Sequence, residues 1–412
     1  MRILLAADQY PEFLNGAGAA TERLAAGLAR RGHDVTVAYP SVAGPRSRRV
    51  RHGLVDERFT SVRLPHGQGV RICLPVSVAR EADELLGSTS YDVVHVQSHL
   101  PVGRAVLAAA RRAGIRVVAT NHFMPENLLP HVPAPELVRR RLGAWAWRDL
   151  ARVFGRADVL TTPTLRAAEI LAERADLPLA QVISNGIDLD QFRPDESRRG
   201  PGGPAEGVGD PFVLFVGRLE QEKRVEALLR AFADLPAEVP ARLVYVGQGS
   251  LLGELRRMAA DLGVGDRVEF WGTVSTERLR RAYADCAVFC APGIAELQSL
   301  VTLEAIASGA AVVAADAVAL PHLVRHGRNG YLYPPEQPEQ LTDHLRHLLT
   351  SPELREQMGA ESRRLAAAHD VEATLDAYLA CYARAMDRPL VGSSPGRSGT
   401  GARRSGGEAL AA

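Results

Sequence analysis

Cysteine is scarce: Cys73, Cys286, Cys290 and Cys381 are the four in 412 residues. They show no metal-site spacing and are too few for a disulfide framework, so structural roles in a reducing, cytoplasmic compartment are expected. Long apolar runs are also missing. No segment reaches the roughly 18 consecutive apolar residues of a membrane-spanning helix. The opening Met1 to Ala7 is ended by Asp8, too early for a secretory signal, and reads as a buried first strand. An excess of one charge is absent too. The formal net charge of +1 excludes a nucleic-acid binder that relies on bulk positive charge, so no nucleic-acid partner is expected. What is present is the balance of a globular protein, 46% hydrophobic and 24% charged. The length suits two domains of about 150–200 residues each.

One pattern recurs. A helical stretch ends at or near glycine and runs into a short β-branched segment: Ala19 to Arg31, then Gly32, then Val35 to Tyr39. Val106 to Arg112, Gly114 and Ile115 to Thr120 repeat it, as do Leu303 to Ser308, Gly309 and Ala311 to Ala315. Glycine permits the left-handed cap that stops a helix. The continuous apolar runs after it suit strands buried on both faces, so the class is α/β with doubly wound parallel sheets. The pattern breaks at Arg193 to Pro211, crowded with Gly, Pro and charge, which reads as a linker. A new strand starts at Phe212. The expected division is 1–188, a linker at 189–210, and a second domain at 211–366. The tail 387–412, rich in Gly, Ser and Arg, is expected to be disordered. Ligands of open parallel sheets bind beyond the carboxyl ends of the strands, so a cleft between the two sheets is the expected site.

Three segments carry chemistry. Asn15 to Thr21, after the first strand and opening a helix, looks like GxGxxG with Thr21 replacing the last glycine. It is either a plain strand-to-helix turn or a place where Gly16 brings backbone close to a phosphate or sugar. The imperfect fingerprint argues against a dehydrogenase, as does the missing carboxylate after Val35 to Tyr39. Gly217 to Arg224 follows the strand Phe212 to Val216; Arg218 and Lys223, at a strand end beside a helix start, are either solvated surface charges or, given their place at the cleft edge, a clamp for a pyrophosphate. Glu296 to Glu304 precedes and opens a helix ending at Gly309. Glu304 lies on an apolar helix, so its charge must face a cleft, be paired or meet a ligand. Eight helical residues span about 12 Å, too far for either glycosidase carboxylate pair, so Glu296 and Glu304 are read as holding two parts of one long ligand. Backbone N–H groups around Ser299, Leu300 and Val301 point between them.

The run GRLEQEK and the Glu-x7-Glu spacing resemble the retaining GT-B glycosyltransferases of glycosyltransferase family 4, over essentially residues 1–385. The block Ala119 to Asn127 and the run ELQSLVTLEA are similar to members that glycosylate lipids, diacylglycerol glucosyltransferases and phosphatidylinositol mannosyltransferases. The resemblance implies two Rossmann-like domains facing across a cleft, with a helix at 367–386 returning to the first. It implies that Gly16, Gly217, Arg218 and Lys223 bind the diphosphate, Glu296 the sugar hydroxyls and Glu304 both ribose hydroxyls. Ser299, Leu300 and Val301 would complete the donor site, and His122 would sit beside the anomeric centre. Leu297-Gln298 departs from the family's Phe-Gly and leaves the contacts at that point undefined. The implied reaction is hexose transfer from UDP-glucose or GDP-mannose to an acceptor hydroxyl with retention, without metal or other cofactor. The acceptor is left open, with a lipid as the candidate.

Leu137 to Arg156 is a basic stretch with Trp145, Trp147 and Phe154. It is either an ordinary domain helix or a peripheral contact with anionic lipid on the inner face of the cell membrane. Two other function classes compete with transfer: a sugar-nucleotide 2-epimerase, separable by product analysis without acceptor, and a noncatalytic sugar-nucleotide-binding protein. The set Arg218, Lys223, Glu296 and Glu304 counts against the second.

Overall fold

The computed structural model describes residues 1–10, 16–63, 71–125, 134–194 and 210–387. Asn15 of the glycine loop, Glu126 and Asn127, most of the linker and the tail 388–412 lie outside the described residues.

Two sheets organise the chain. The first has the spatial order Gln181–Val182, Val159–Thr162, Arg116–Thr120, Val93–Val96, Arg2–Ala6, Asp34–Pro40, Leu54–Phe59, Ser47–Arg51. Its pairings are parallel except the last. The doubly wound parallel sheet thus carries one antiparallel edge strand. Ser47–Arg51 and Leu54–Phe59 form an antiparallel hairpin through His52 and Gly53, both at positive φ (48° and 77°), the backbone that a tight two-residue hairpin requires. The second sheet is wholly parallel: Val268–Gly272, Arg242–Val246, Phe212–Val216, Val288–Ala291, Val312–Ala315, Gly330–Tyr333. Phe212–Val216 has neighbours from later in the chain on both sides, so the strand order reverses there. The carboxyl ends of Phe212–Val216 and Val288–Ala291 open into a crevice at that switch point.

The central strands are apolar along their length because helices cover both sheet faces, whereas the edge strand Ser47–Arg51 is polar and exposed. Val213, Leu214, Val288, Phe289, Val312 and Val313 are buried in the second core. The first sheet has a separate apolar cluster on each face. One of these is completed from far away. The last helix, Val371–Asp387, packs Leu375, Tyr378, Cys381 and Tyr382 against Ile3, Leu5, Leu24 and Leu28 of the first lobe. Gly27 makes room for it: a Cβ there would stand 2.7 Å from a methyl of Leu375. The chain crosses between lobes twice, side by side. Ile187 N donates to His369 O at 2.8 Å and Val371 N to Ile187 O at 2.9 Å. All four cysteines are buried free thiols.

Candidate active site

The second-lobe wall is built on strand ends. Phe212–Val216 runs into Gly217, whose φ of +150° and close approach to Gly247 bring two strand ends together. A Cβ on Gly247 would lie 1.9 Å from the Gly217 carbonyl oxygen, a contact only glycine avoids. The chain then makes a 3-10 turn, Gln221–Lys223, before the helix Val225–Ala233. Lys223 Nζ donates to Glu296 Oε1, and Arg218, half exposed, donates to Glu222. Both cations predicted for the diphosphate are therefore paired with carboxylates.

Glu296 lies in the loop between Val288–Ala291 and the helix Leu300–Ala307. Ser299 caps that helix, its Oγ accepting from Thr302 N at 3.4 Å and from Thr302 Oγ1 at 2.9 Å. Lys223, Glu296, Ser299 and Val301 line one small cavity with Pro292 and Gly293. A Cβ on Gly16, the first residue of the helix Gly16–Arg30, would touch Leu300 Cδ1 at 3.8 Å. The starts of two helices, one from each lobe, thus meet at one place. Each presents N–H groups without intrahelical partners and the positive end of a dipole.

Glu304 sits one turn further along, partly buried. Tyr283 Oη donates to its Oε2 at 2.9 Å, and Arg23 Nη2 of the first lobe stands 3.7 Å from its Oε1. Burial pushes its carboxyl above the usual range, while the Arg23 charge and the Tyr283 hydrogen bond pull it back. The two glutamates accordingly have different partners.

His122 lies apart from these residues, in the first lobe. It follows the strand Arg116–Thr120, and its Nε2 hydrogen-bonds Gln97 Oε1 at 2.7 Å. It lines a second small pocket with Gln97, Asn185, Thr374 and Tyr378, between the first sheet and the last helix. Burial pushes its imidazole down to about 4, so the ring is neutral near pH 7. Behind it His95 is enclosed by Tyr382 and Thr120 and pushed down to about 3.

Contacts between the lobes were not legible from the sequence. Thr164 Oγ1 donates to Leu297 O at 2.9 Å, Asn185 N to Gln298 Oε1 at 2.9 Å, and Gln298 Nε2 to Ser184 Oγ at 3.0 Å. Leu297 itself is buried in a first-lobe cluster. The Leu297-Gln298 dipeptide that departs from the family pattern is therefore an interlobe contact. Arg23 was missed as well. Its signal was helical spacing, since residues 16, 20 and 23 share one face of an α-helix. The basic stretch resolves into the helix Glu136–Phe154. Two of its three aromatics, Trp147 and Phe154, are core residues, as in an ordinary domain helix; Trp145 is 58% exposed, beside exposed Leu137, Val138 and Leu142.

Residues 14–191 match the family Glycosyltransferase Family 4, and residues 202–365 match Glycosyl transferases group 1. D-inositol 3-phosphate glycosyltransferase of Acidothermus cellulolyticus is 33% identical over 77% of this chain and 72% of its own length. The chain belongs to glycosyltransferase family 4. The enzyme of the same name from Streptomyces griseus is also 33% identical, over 68% of this family 4 chain but 63% of its own length, under two thirds of that relative. Among solved structures, sucrose-phosphate synthase of Thermosynechococcus elongatus superposes with a TM-score of 0.77 at 19% identity, covering 93% of this chain and 99% of that one. Anabaena HepE in complex with UDP-glucose gives 0.71 at 20%, covering 93% and 100%. At such identities the likeness shows the fold, and the fold is GT-B.

Proposed function

We propose that this family 4 chain is a retaining hexosyltransferase using UDP-glucose or GDP-mannose. The observation that carries the reading is the meeting of two helix starts at Gly16 and Leu300, with the Lys223–Glu296 pair on one side and Glu304 a turn away. A diphosphate fits between the helix starts, where backbone N–H groups and Lys223 offset its charge. Arg218 adds a second cation from the cleft edge. Glu304 receives the ribose hydroxyls, and Glu296, released from Lys223, receives hydroxyls of the sugar. The acceptor oxygen attacks the anomeric carbon on the face from which the diphosphate departs. A carbon–oxygen bond to the acceptor forms, the carbon–oxygen bond to phosphate breaks, and the acceptor proton passes to the departing phosphate oxygen. His122 offers a neutral imidazole to a sugar hydroxyl, a contact that strengthens as charge develops on the ring. Closure of the lobes keeps water from the donor. The charge is met by protein groups, without a metal or other cofactor.

The acceptor is read as lipid-anchored. Exposed Leu137, Leu142 and Trp145 share their helix with Arg139 and Arg140, a composition suited to peripheral docking on anionic lipid at the inner face of the cell membrane. A second reading, a soluble inositol phosphate acceptor, rests on the names of the relatives. The test incubates the protein with UDP-glucose or GDP-mannose and either phosphatidylinositol vesicles or D-inositol 3-phosphate, then assigns product anomers by NMR. Glycolipid with the donor's anomeric configuration supports the first reading, and glycosylated inositol phosphate the second. An inverted product, or sugar rearrangement without acceptor, sinks both.

A further inference from the structure

We infer that Arg23 is a positioning residue of the donor site, which from the first lobe holds Glu304 of the second lobe aimed and ionised for the nucleotide. The inference rests on the ribose role proposed above for Glu304.

The geometry is specific. Arg23 stands two turns along the helix that begins at Gly16. Its Nη1 donates to the carbonyl of Gly186 in the crossover, and its Nη2 lies 3.7 Å from Glu304 Oε1. Both side chains are largely enclosed, at 17% and 14% exposure. The anchor on Gly186 is stiff: a Cβ there would stand 2.8 Å from Thr374 Oγ1, and φ is +71°. One arginine therefore links the first-lobe helix, the crossover and the second-lobe carboxylate. The other oxygen of Glu304 receives Tyr283 Oη from the helix Thr276–Asp285. A carboxylate has about four acceptor sites. Tyr283 uses one, and at 3.7 Å Arg23 contributes charge rather than a hydrogen bond. Room for two ribose hydroxyls remains.

The groups facing Glu304 are Arg23 and Tyr283, and Asp188 faces Arg23 from the crossover. Arg23 supplies the positive charge that opposes the burial of this carboxylate. A protonated Glu304 loses acceptor capacity, so removing that charge makes nucleotide binding fail at a higher pH. An opposite charge within about 4–6 Å moves a carboxyl by 1–3 pH units.

The experiment measures UDP affinity (GDP if the wild type binds only that) by calorimetry from pH 5 to 8. It compares wild type, Arg23→Gln, Arg23→Lys, Glu304→Gln and Glu304→Ala, with melting temperatures recorded for each. Expected is a midpoint of acid loss about one pH unit or more higher in Arg23→Gln, restored toward wild type in Arg23→Lys. Glu304→Gln keeps only the titration of the nucleotide's own phosphate. Wild-type affinity in Glu304→Ala overturns the ribose role and this inference together. Loss in Glu304→Ala with an unshifted midpoint in Arg23→Gln, or an equal weakening at every pH, overturns this inference alone.

Discussion

On the second lobe, Lys223 follows the strand Phe212–Val216 by seven residues and meets Glu296, five residues beyond the strand Val288–Ala291; the sheet itself sets their separation. On the first lobe, His122 depends on Gln97 and on the last helix, and Arg23 depends on Gly186, 163 residues away. The second-lobe wall thus joins two strand-end loops of one sheet, 73 residues apart in the chain. The opposite wall is assembled from segments that reach one another only after the whole fold forms. Residues that sit in short motifs at strand ends, such as Lys223, Glu296 and His122, are legible; the partners that long-range packing brings to them, such as Arg23 and Gln97, are not.

The sharpest way to break this comparison is at His122. His122→Ala is expected to lower kcat about 100-fold or more, the scale of losing one well-placed transition-state contact, with nucleotide Kd near wild type. A near-wild-type kcat, or a loss explained by a lower Tm, would make it a structural histidine of the first lobe.

The second-lobe counterpart is Lys223→Ala. It should weaken nucleoside diphosphate binding by about 1.5–3 kcal/mol, the scale of charge-assisted hydrogen bonds. Arg218→Ala should cost less, since Arg218 is half exposed and already engaged with Glu222. Calorimetry that finds neither variant weakened removes the diphosphate from this wall.

Acid distinguishes the lobes next. Burial pushes His95 down to about 3 and His99 to about 4 in the first lobe; His322 and His344 of the second lobe are lowered as well, and His369 at the crossover to about 4. The unfolded chain binds the protons of His95 and His99 below about pH 6.5 while the folded one does not. Their contribution to stability is complete above pH 6.5. It is lost as pH falls toward 4, by about 1.4 kcal/mol per pH unit for each ring. Hydrogen exchange at pH 5 against pH 7.5 should show first-lobe amides losing protection before those of Phe212–Val216. Simultaneous loss in both lobes would mean that they unfold as one unit.

The smallest effect concerns the exposed helix face. Trp145→Ala should reduce co-sedimentation with anionic vesicles and leave turnover of a soluble acceptor intact. Because exposed charges are screened beyond about 10 Å at 0.1 M salt, added salt should weaken wild-type binding too. No binding at low salt would favour the soluble acceptor.

Much of this was readable in the residues. The strands around Phe212, Val288 and Val312 are uninterrupted apolar runs because both sheet faces are covered, and the glycines that end helices mark their starts. The run GRLEQEK and the Glu-x7-Glu spacing are short enough to be seen whole. The antiparallel edge at Ser47–Arg51 was not foreseen, because a polar, arginine-rich edge strand lacks the apolar signal of its neighbours. The partition of aromatics on Glu136–Phe154 was also hidden, since one helix carries both a core face and an exposed one. Arg23 and Gln97 look like any surface polar residue until the crossover and the second lobe are in place.

The helix Val371–Asp387 also sets an order of events during synthesis. The second lobe is continuous in the chain and can close its core once its last strands and helices have left the ribosome. The first lobe, though translated earlier, must wait with Ile3, Leu5, Leu24 and Leu28 uncovered until Leu375, Tyr378 and Tyr382 arrive. The half made first is finished last, and a nascent chain that stalls before residue 371 carries an open apolar face for other proteins to find.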